Sequence, residues 1–193
     1  MSGTIRIVPY DPRWPEEFRT IGRDLRATLG DVALRIDHIG STSVPGLAAK
    51  DIIDIQVTVQ SLDRVVIAPP LARLGYTVAD RIVHDHVPPG WRSTAEDWVK
   101  LYFRPPASQR PTHLHVRQAG RENQRYALLF RDSLRAHPST TAAYAQVKEA
   151  LARLHPDDAN AYYDVKDPVC DIIMDVARAW ADETGYQPGP SDA

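Results

Sequence analysis

Gly40 and Ser41 lie between two apolar runs, and the second run, Ile52-Ile53-Asp54-Ile55-Gln56-Val57, carries a carboxylate at Asp54. A Gly-Ser pair that opens a short helical turn offers backbone N–H groups and a hydroxyl to a phosphate. A carboxylate on the following strand can hold a divalent cation against the same phosphate. The spacing therefore predicts nucleotide or phosphoryl chemistry. Each part also has an ordinary reading. Thr42 and Ser43 can cap the turn, and Asp54, costly inside an apolar run unless paired, can be neutralised by Lys50 or an arginine.

A second constellation is built from imidazoles. His113 and His115 are two apart on a predicted strand and so share a face, as do His84 and His86. Two such pairs on neighbouring strands could give three or four ligands to Zn2+ or another transition metal, with His38 as a further contributor. The competing reading is histidines bonded to backbone, phosphate or water. Cys170 is the sole cysteine, which excludes an internal disulfide and a four-thiolate zinc site; among Val169, Ile172 and Ile173 it reads as a buried structural thiol.

The elements that must position these groups follow from periodicity. Trp14, Phe18, Ile21, Leu25 and Leu29 recur at helical spacing after Asp11-Pro12, and Gly30 stops the helix. Residues 32–39 and 52–59 read as strands joined by the Gly-Ser segment. A helix is expected over 62–74, then a strand over 76–79 and a weaker one over 82–87. Residues 88–97 form a loop near the open side of the sheet, where Trp91 and Trp98 could stack on a base. Residues 98–104 and 112–117 read as antiparallel strands, and residues 5–8 as a leading strand or arm. Three helical stripes follow, on Tyr126-Leu129-Phe130-Leu134, on Tyr144-Val147-Leu151-Leu154, and on Val169-Ile172-Ile173-Val176-Trp180, the last opened by Asp167-Pro168. The fold class is α+β: a short mixed sheet flanked by helices with a helical C-terminal part. The expected division is an α/β core over 1–120, helices packed on it over 121–185, and a flexible tail over 186–193.

A formal charge of −2 over 193 residues gives no reason to expect an extended nucleic-acid surface. No run approaches the roughly 20 apolar residues of a membrane span, and no basic-then-apolar leader opens the chain, so a cytoplasmic location is the default expectation.

Over most of its length the chain resembles GrpB-like proteins. The likeness is carried by His38-Ile39-Gly40-Ser41-Thr42-Ser43-Val44-Pro45-Gly46-Leu47-Ala48-Ala49-Lys50 with Ile53-Asp54-Ile55, then by Thr112-His113-Leu114-His115-Val116, residues 130–138, Tyr144, Lys148 and Lys166. That family resembles the nucleotidyltransferase superfamily, whose fold is that of polymerase-β-like enzymes, and it also occurs fused to dephospho-CoA kinase. The resemblance implies Mg2+-dependent transfer of a nucleotidyl group to a small acceptor. Gly40, Ser41, Thr42, Lys50, Arg131 and Lys148 would bind phosphate or substrate. Asp54 would act as metal ligand and catalytic residue, and His113 or His115 would complete the metal site, His115 also being the candidate to take the acceptor proton. The chain departs from the superfamily pattern at Gln56, where a second acid is expected, and in lacking an obvious third carboxylate. Two alternatives therefore stand beside the enzyme: a non-catalytic module for a nucleotide or CoA-related ligand, and a histidine-based transition-metal protein.

Overall fold

The computed structural model describes residues 4–193. Its centre is a mixed sheet of five strands among the described residues, β1 (Arg35–Ile39), β2 (Ile53–Val59), β3 (Thr77–Val78), β4 (Leu101–Arg104) and β5 (Thr112–Gln118). Their spatial order is β1-β2-β5-β4-β3, with β2 and β5 parallel and every other neighbouring pair antiparallel. With its helices this makes an α+β fold.

The period of two along β2 and β5 divides the sheet into two unlike faces. Ile53, Ile55, Val57, Leu114 and Val116 point one way and are buried. They pack with Trp14, Phe18, Leu25 and Leu29 of α1 (Trp14–Leu29) and with Ile67 and Leu71 of α2 (Arg64–Arg73), forming the main apolar core. The other face carries Asp54, Gln56, His113, His115 and Arg117, brought side by side because Asp54 is level with His113 and Gln56 with His115. This polar face turns toward α3 (Glu122–Ala136), α4 (Pro138–Leu154) and α5 (Ala159–Thr184).

Three features differ from the sequence expectation. Residues 82–87 contribute only an isolated bridge, His84 to Val99, not a strand. The last helix begins at Ala159, with Asp158 accepting from Ala161 N at 3.0 Å, and runs through Pro168. Its first turns are held by buried Tyr162, which packs with Ile5, Leu151 and Ala152. The tail is bound rather than loose. Ser191 Oγ accepts from Ile36 N at 2.8 Å, Asp192 N donates to the Ile36 carbonyl, and Asp192 Oδ2 accepts from His38 N and from Arg131. Among the described residues no helix is long and apolar enough to cross a membrane.

Candidate functional site

β1 ends at Ile39, and the chain turns at Gly40 with φ +67° into the 3-10 turn Ser41–Ser43. Ile39 is level with Asp54 on β2, so the turn folds over that carboxylate. A Cβ added to Gly40 would lie 2.9 Å from Asp54 Cγ, closer than real contacts allow. Glycine is needed here both for the positive φ and for this approach. The Gly-Ser turn and Asp54 thus share one wall of a cavity of about 550 Å3.

Asp54 is half-buried and accepts a hydrogen bond from His113 Nδ1–H at 2.9 Å. The sequence alternative of a partner at Lys50 does not hold, because Lys50 donates to Tyr163 Oη at 3.0 Å and lies over the rings of Tyr162 and Tyr163. Asp54, His113 and His115 present ligand atoms within 4.8 Å of one another, the metal-competent group found among the described residues. The second imidazole pair does not join them. His86 pairs with Asp171 at 3.0 Å, and His84 does not line the cavity. His38 is turned away: it stacks on Phe18 and bonds Thr42 Oγ1 at 3.0 Å, and burial pushes its pKa down to about 3.

Behind His115 lies a buried ionic network that sequence reasoning did not find. Asp85 accepts from Lys100 Nζ at 2.6 Å, from Arg117 Nε and Nη2 at 2.8 and 2.9 Å, and from Asn123 Nδ2 at 3.0 Å. Burial alone would raise the Asp85 pKa, but Arg117 and then Lys100 outweigh it and hold the group well below the usual carboxylate range. Arg117 Nη1 also donates to Gln56 Oε1 at 2.7 Å, while Gln56 Nε2 donates to the Gln124 carbonyl. Gln56 is fully buried and does not line the cavity. At the position of the expected second acid, an amide therefore satisfies a guanidinium.

The same network acts on His115. Lys100 Nζ and Arg117 Nη2 each lie 3.4 Å from its Nδ1, which must accept, leaving the ring proton on Nε2. Burial, then Arg117 and Lys100, lower its pKa well below the ordinary imidazole value. His115 consequently presents an N–H donor, whereas His113, with Nδ1–H committed to Asp54, leaves Nε2 with a lone pair. Lys148 enters from α4, 2% exposed, and donates to Ser41 Oγ at 2.9 Å and the Ala48 carbonyl at 2.5 Å. Lys166 reaches the same end from α5 and pairs with Asp167 at 3.0 Å. Tyr126, Phe130 and Tyr144 form a continuous aromatic wall, Tyr126 stacked on Phe130 and Phe130 edge-on to Tyr144. Cys170 is buried with Sγ 3.3 Å from Tyr144 Oη.

Of the residues singled out from sequence, Gly40, Ser41, Thr42, Lys50, Asp54, His113, His115 and Lys148 line this cavity. Arg131 does not. At 3% exposure it donates to the His38 carbonyl and pairs with Asp132 and Asp192, tying α3 to β1 and the C-terminal residues. Trp91 likewise packs on Trp98 and Tyr126 under Arg178 and does not line the cavity, whereas Trp98 does. The carboxylate set expected from the family resemblance to hold Mg2+ is incomplete here, because Mg2+ takes oxygen ligands and a single carboxylate faces the cavity from β2. One carboxylate with imidazoles is closer to the donor set of a single transition-metal ion, which would require His115 to give up its Nε2 proton.

A family model described as "GrpB protein" matches residues 4–176. A dephospho-CoA kinase of Mycolicibacterium paratuberculosis is 39% identical over 199 residues, covering 95% of this chain and 48% of its own length. A UPF0157 protein of Halalkalibacterium halodurans is 39% identical over 153 residues, covering 78% of this chain and 71% of its own. The crystal structure of the conserved protein GrpB from Enterococcus faecalis superposes with a TM-score of 0.69 at 31% identity, over 91% of this chain and 99% of that one. The chain spans about half the length of the dephospho-CoA kinases it matches.

Proposed function

The chain belongs to the GrpB family, and from that premise we propose that its cavity binds a nucleoside triphosphate and transfers a nucleotidyl group from it to a small acceptor. The observation that carries the reading is a convergence in one concavity. Gly40, Ser41, Lys148 and Lys166 gather at one end, Asp54 with His113 and His115 stand on the sheet, and an aromatic wall runs alongside. Phosphates would lie against Ser41 and the two lysines, and the base against Tyr126 or Phe130, a contact of about 1–3 kcal/mol. His113 is the residue oriented to act as base, because Asp54 fixes its tautomer and it is 39% exposed. In the transfer the acceptor oxygen bonds to the α-phosphorus, its proton passes to His113 Nε2, and pyrophosphate leaves. His115 Nε2–H donates to the charge that develops on phosphate oxygen. A divalent cation held by the Asp54 carboxylate would supply further positive charge to the phosphates.

Pyrophosphate release from each of the four common triphosphates, with a panel of hydroxyl and amine acceptors and with Mn2+, Zn2+ or Mg2+, tests the reading. Turnover abolished by Asp54→Asn, in protein of unchanged thermal midpoint, is expected. A second reading has its own support in Gln56, which is closed off by Arg117 instead of offering a second carboxylate. On that reading the cavity holds a nucleotide or CoA-related ligand without turning it over. The relatives named dephospho-CoA kinase agree with such a ligand. Tight ATP binding with no pyrophosphate from any acceptor would decide for it.

A further inference from the structure

We propose that the Ser41 end of the cavity is a proton-coupled phosphate subsite, in which a phosphate dianion lodges against Ser41 between Lys148 and Lys166 and Lys148 gains a proton as the ligand arrives. The inference rests on the nucleotide-binding reading and adds to it the protonation state in which the ligand is held.

The geometry supports it in two ways. Lys148 is a buried amine whose hydrogen-bond acceptors, Ser41 Oγ and the Ala48 carbonyl, are both neutral. Every nearby carboxylate is placed elsewhere. Of the groups facing it, Asp167 is bonded to Lys166 and Asp54 to His113, while Lys50 bonds Tyr163. Cys170 and Glu149 bear on it only at longer range, and its own helix offers Tyr144, over whose ring Nζ sits 4.7 Å from the centroid. Lys166 remains charged: burial works against it, but Cys170 and Asp167 outweigh burial and raise its pKa.

The ammonium of Lys148 is therefore desolvated and faces another cation, and these two causes in that order bring its pKa down to about 7. A phosphate accepting from Nζ in place of Ser41 would reverse the balance, since an opposite charge at hydrogen-bond distance favours the protonated form. Binding must then draw a proton from solvent whenever the free amine is neutral.

Calorimetric titration of the full chain with ATP and EDTA, in buffers of differing ionisation enthalpy, counts that proton. With a free value of about 7, roughly three-quarters of a proton should enter per ATP at pH 7.5. Affinity should fall roughly eightfold between pH 7.5 and 8.5, a range in which ATP itself is already largely deprotonated. Lys148→Arg, which stays charged, should bind with no uptake and a flat profile. ATP binding by the wild type without proton uptake overturns the inference and leaves the nucleotide reading standing. Uptake that persists in Lys148→Arg assigns the proton to another group and also overturns it. No ATP binding at all removes both. Should the arginine fail to fold, the wild-type pH series alone decides.

Discussion

Asp85→Asn should be among the most damaging single substitutions in this chain, although Asp85 neither belongs to a strand nor touches the Gly-Ser turn. The carboxylate neutralises Lys100 and Arg117, whose side chains are only 7% and 6% exposed. With Asp85 present the three groups sum to +1, two cations less one anion; with Asn they sum to +2 in the same buried volume. Removing one member of a buried ionic set costs about 3–5 kcal/mol, because the remaining charge is left without compensation. For a chain of this length that corresponds to a fall in thermal midpoint of roughly 10 °C. The assay is urea unfolding at pH 7 of the wild type, Asp85→Asn, Lys100→Met and the double variant. Lys100→Met should recover part of the loss when combined with Asp85→Asn, with a coupling of about 1–3 kcal/mol. The pH dependence has a fixed sign. The Asp85 pKa is depressed in the folded protein, so its contribution is present above the ordinary carboxylate value and is lost as pH falls toward the folded one. The gap between wild type and Asp85→Asn should therefore close in acid. A loss below about 1 kcal/mol at pH 7, the scale of an exposed pair, would refute the reasoning.

Three further outcomes follow from named contacts. Gly40→Ala should weaken ATP binding at least about tenfold, or about 1.4 kcal/mol, because its Cβ meets the Asp54 carboxylate; Gly46→Ala, also at positive φ but facing open space, should leave calorimetric affinity unchanged. His38 is held uncharged, its pKa pushed down to about 3 by burial, so the unfolded chain takes up a proton first as pH falls below the ordinary imidazole value. Stability should drop by about 2 kcal/mol between pH 7 and pH 5 on this account, and His38→Gln should flatten that part of the urea-midpoint profile. Lys148→Met should raise stability most at pH 6, where the wild type must bury an ammonium. That advantage should shrink by about 2–3 kcal/mol by pH 9, read from the same midpoints.

Much of the site could be read from the chain because it rests on short-range alternation. Asp54, His113 and His115 share a face by the period of two, and the parallel pairing of β2 with β5 brings them level. The same alternation continues to Arg117, whose place on the polar face is therefore legible from the period of two. Asp85 was hidden between His84 and His86, whose spacing suggested a metal site; its partners lie 15 and 32 residues away and no local pattern announces them. Arg131 illustrates the limit from the other side. Its position on α3 was legible, but its direction is set by the His38 carbonyl and Asp192, 93 and 61 residues distant. Pro168 misled for a physical reason too. Proline favours the first turn of a helix, yet here the packing of Tyr162 stabilises two turns before it.

The docking of Ser191 and Asp192 along β1 has a consequence for how copies of this protein meet one another. An uncovered strand margin offers unpaired N–H and C=O groups on which a foreign strand can assemble, and this drives association and fibre growth. Here the Ile36 amide and carbonyl on the β1 side are already occupied by residues 191–193. At the opposite margin β3 is only two residues long. With both borders closed or curtailed in this way, the sheet offers little purchase for strand-by-strand aggregation.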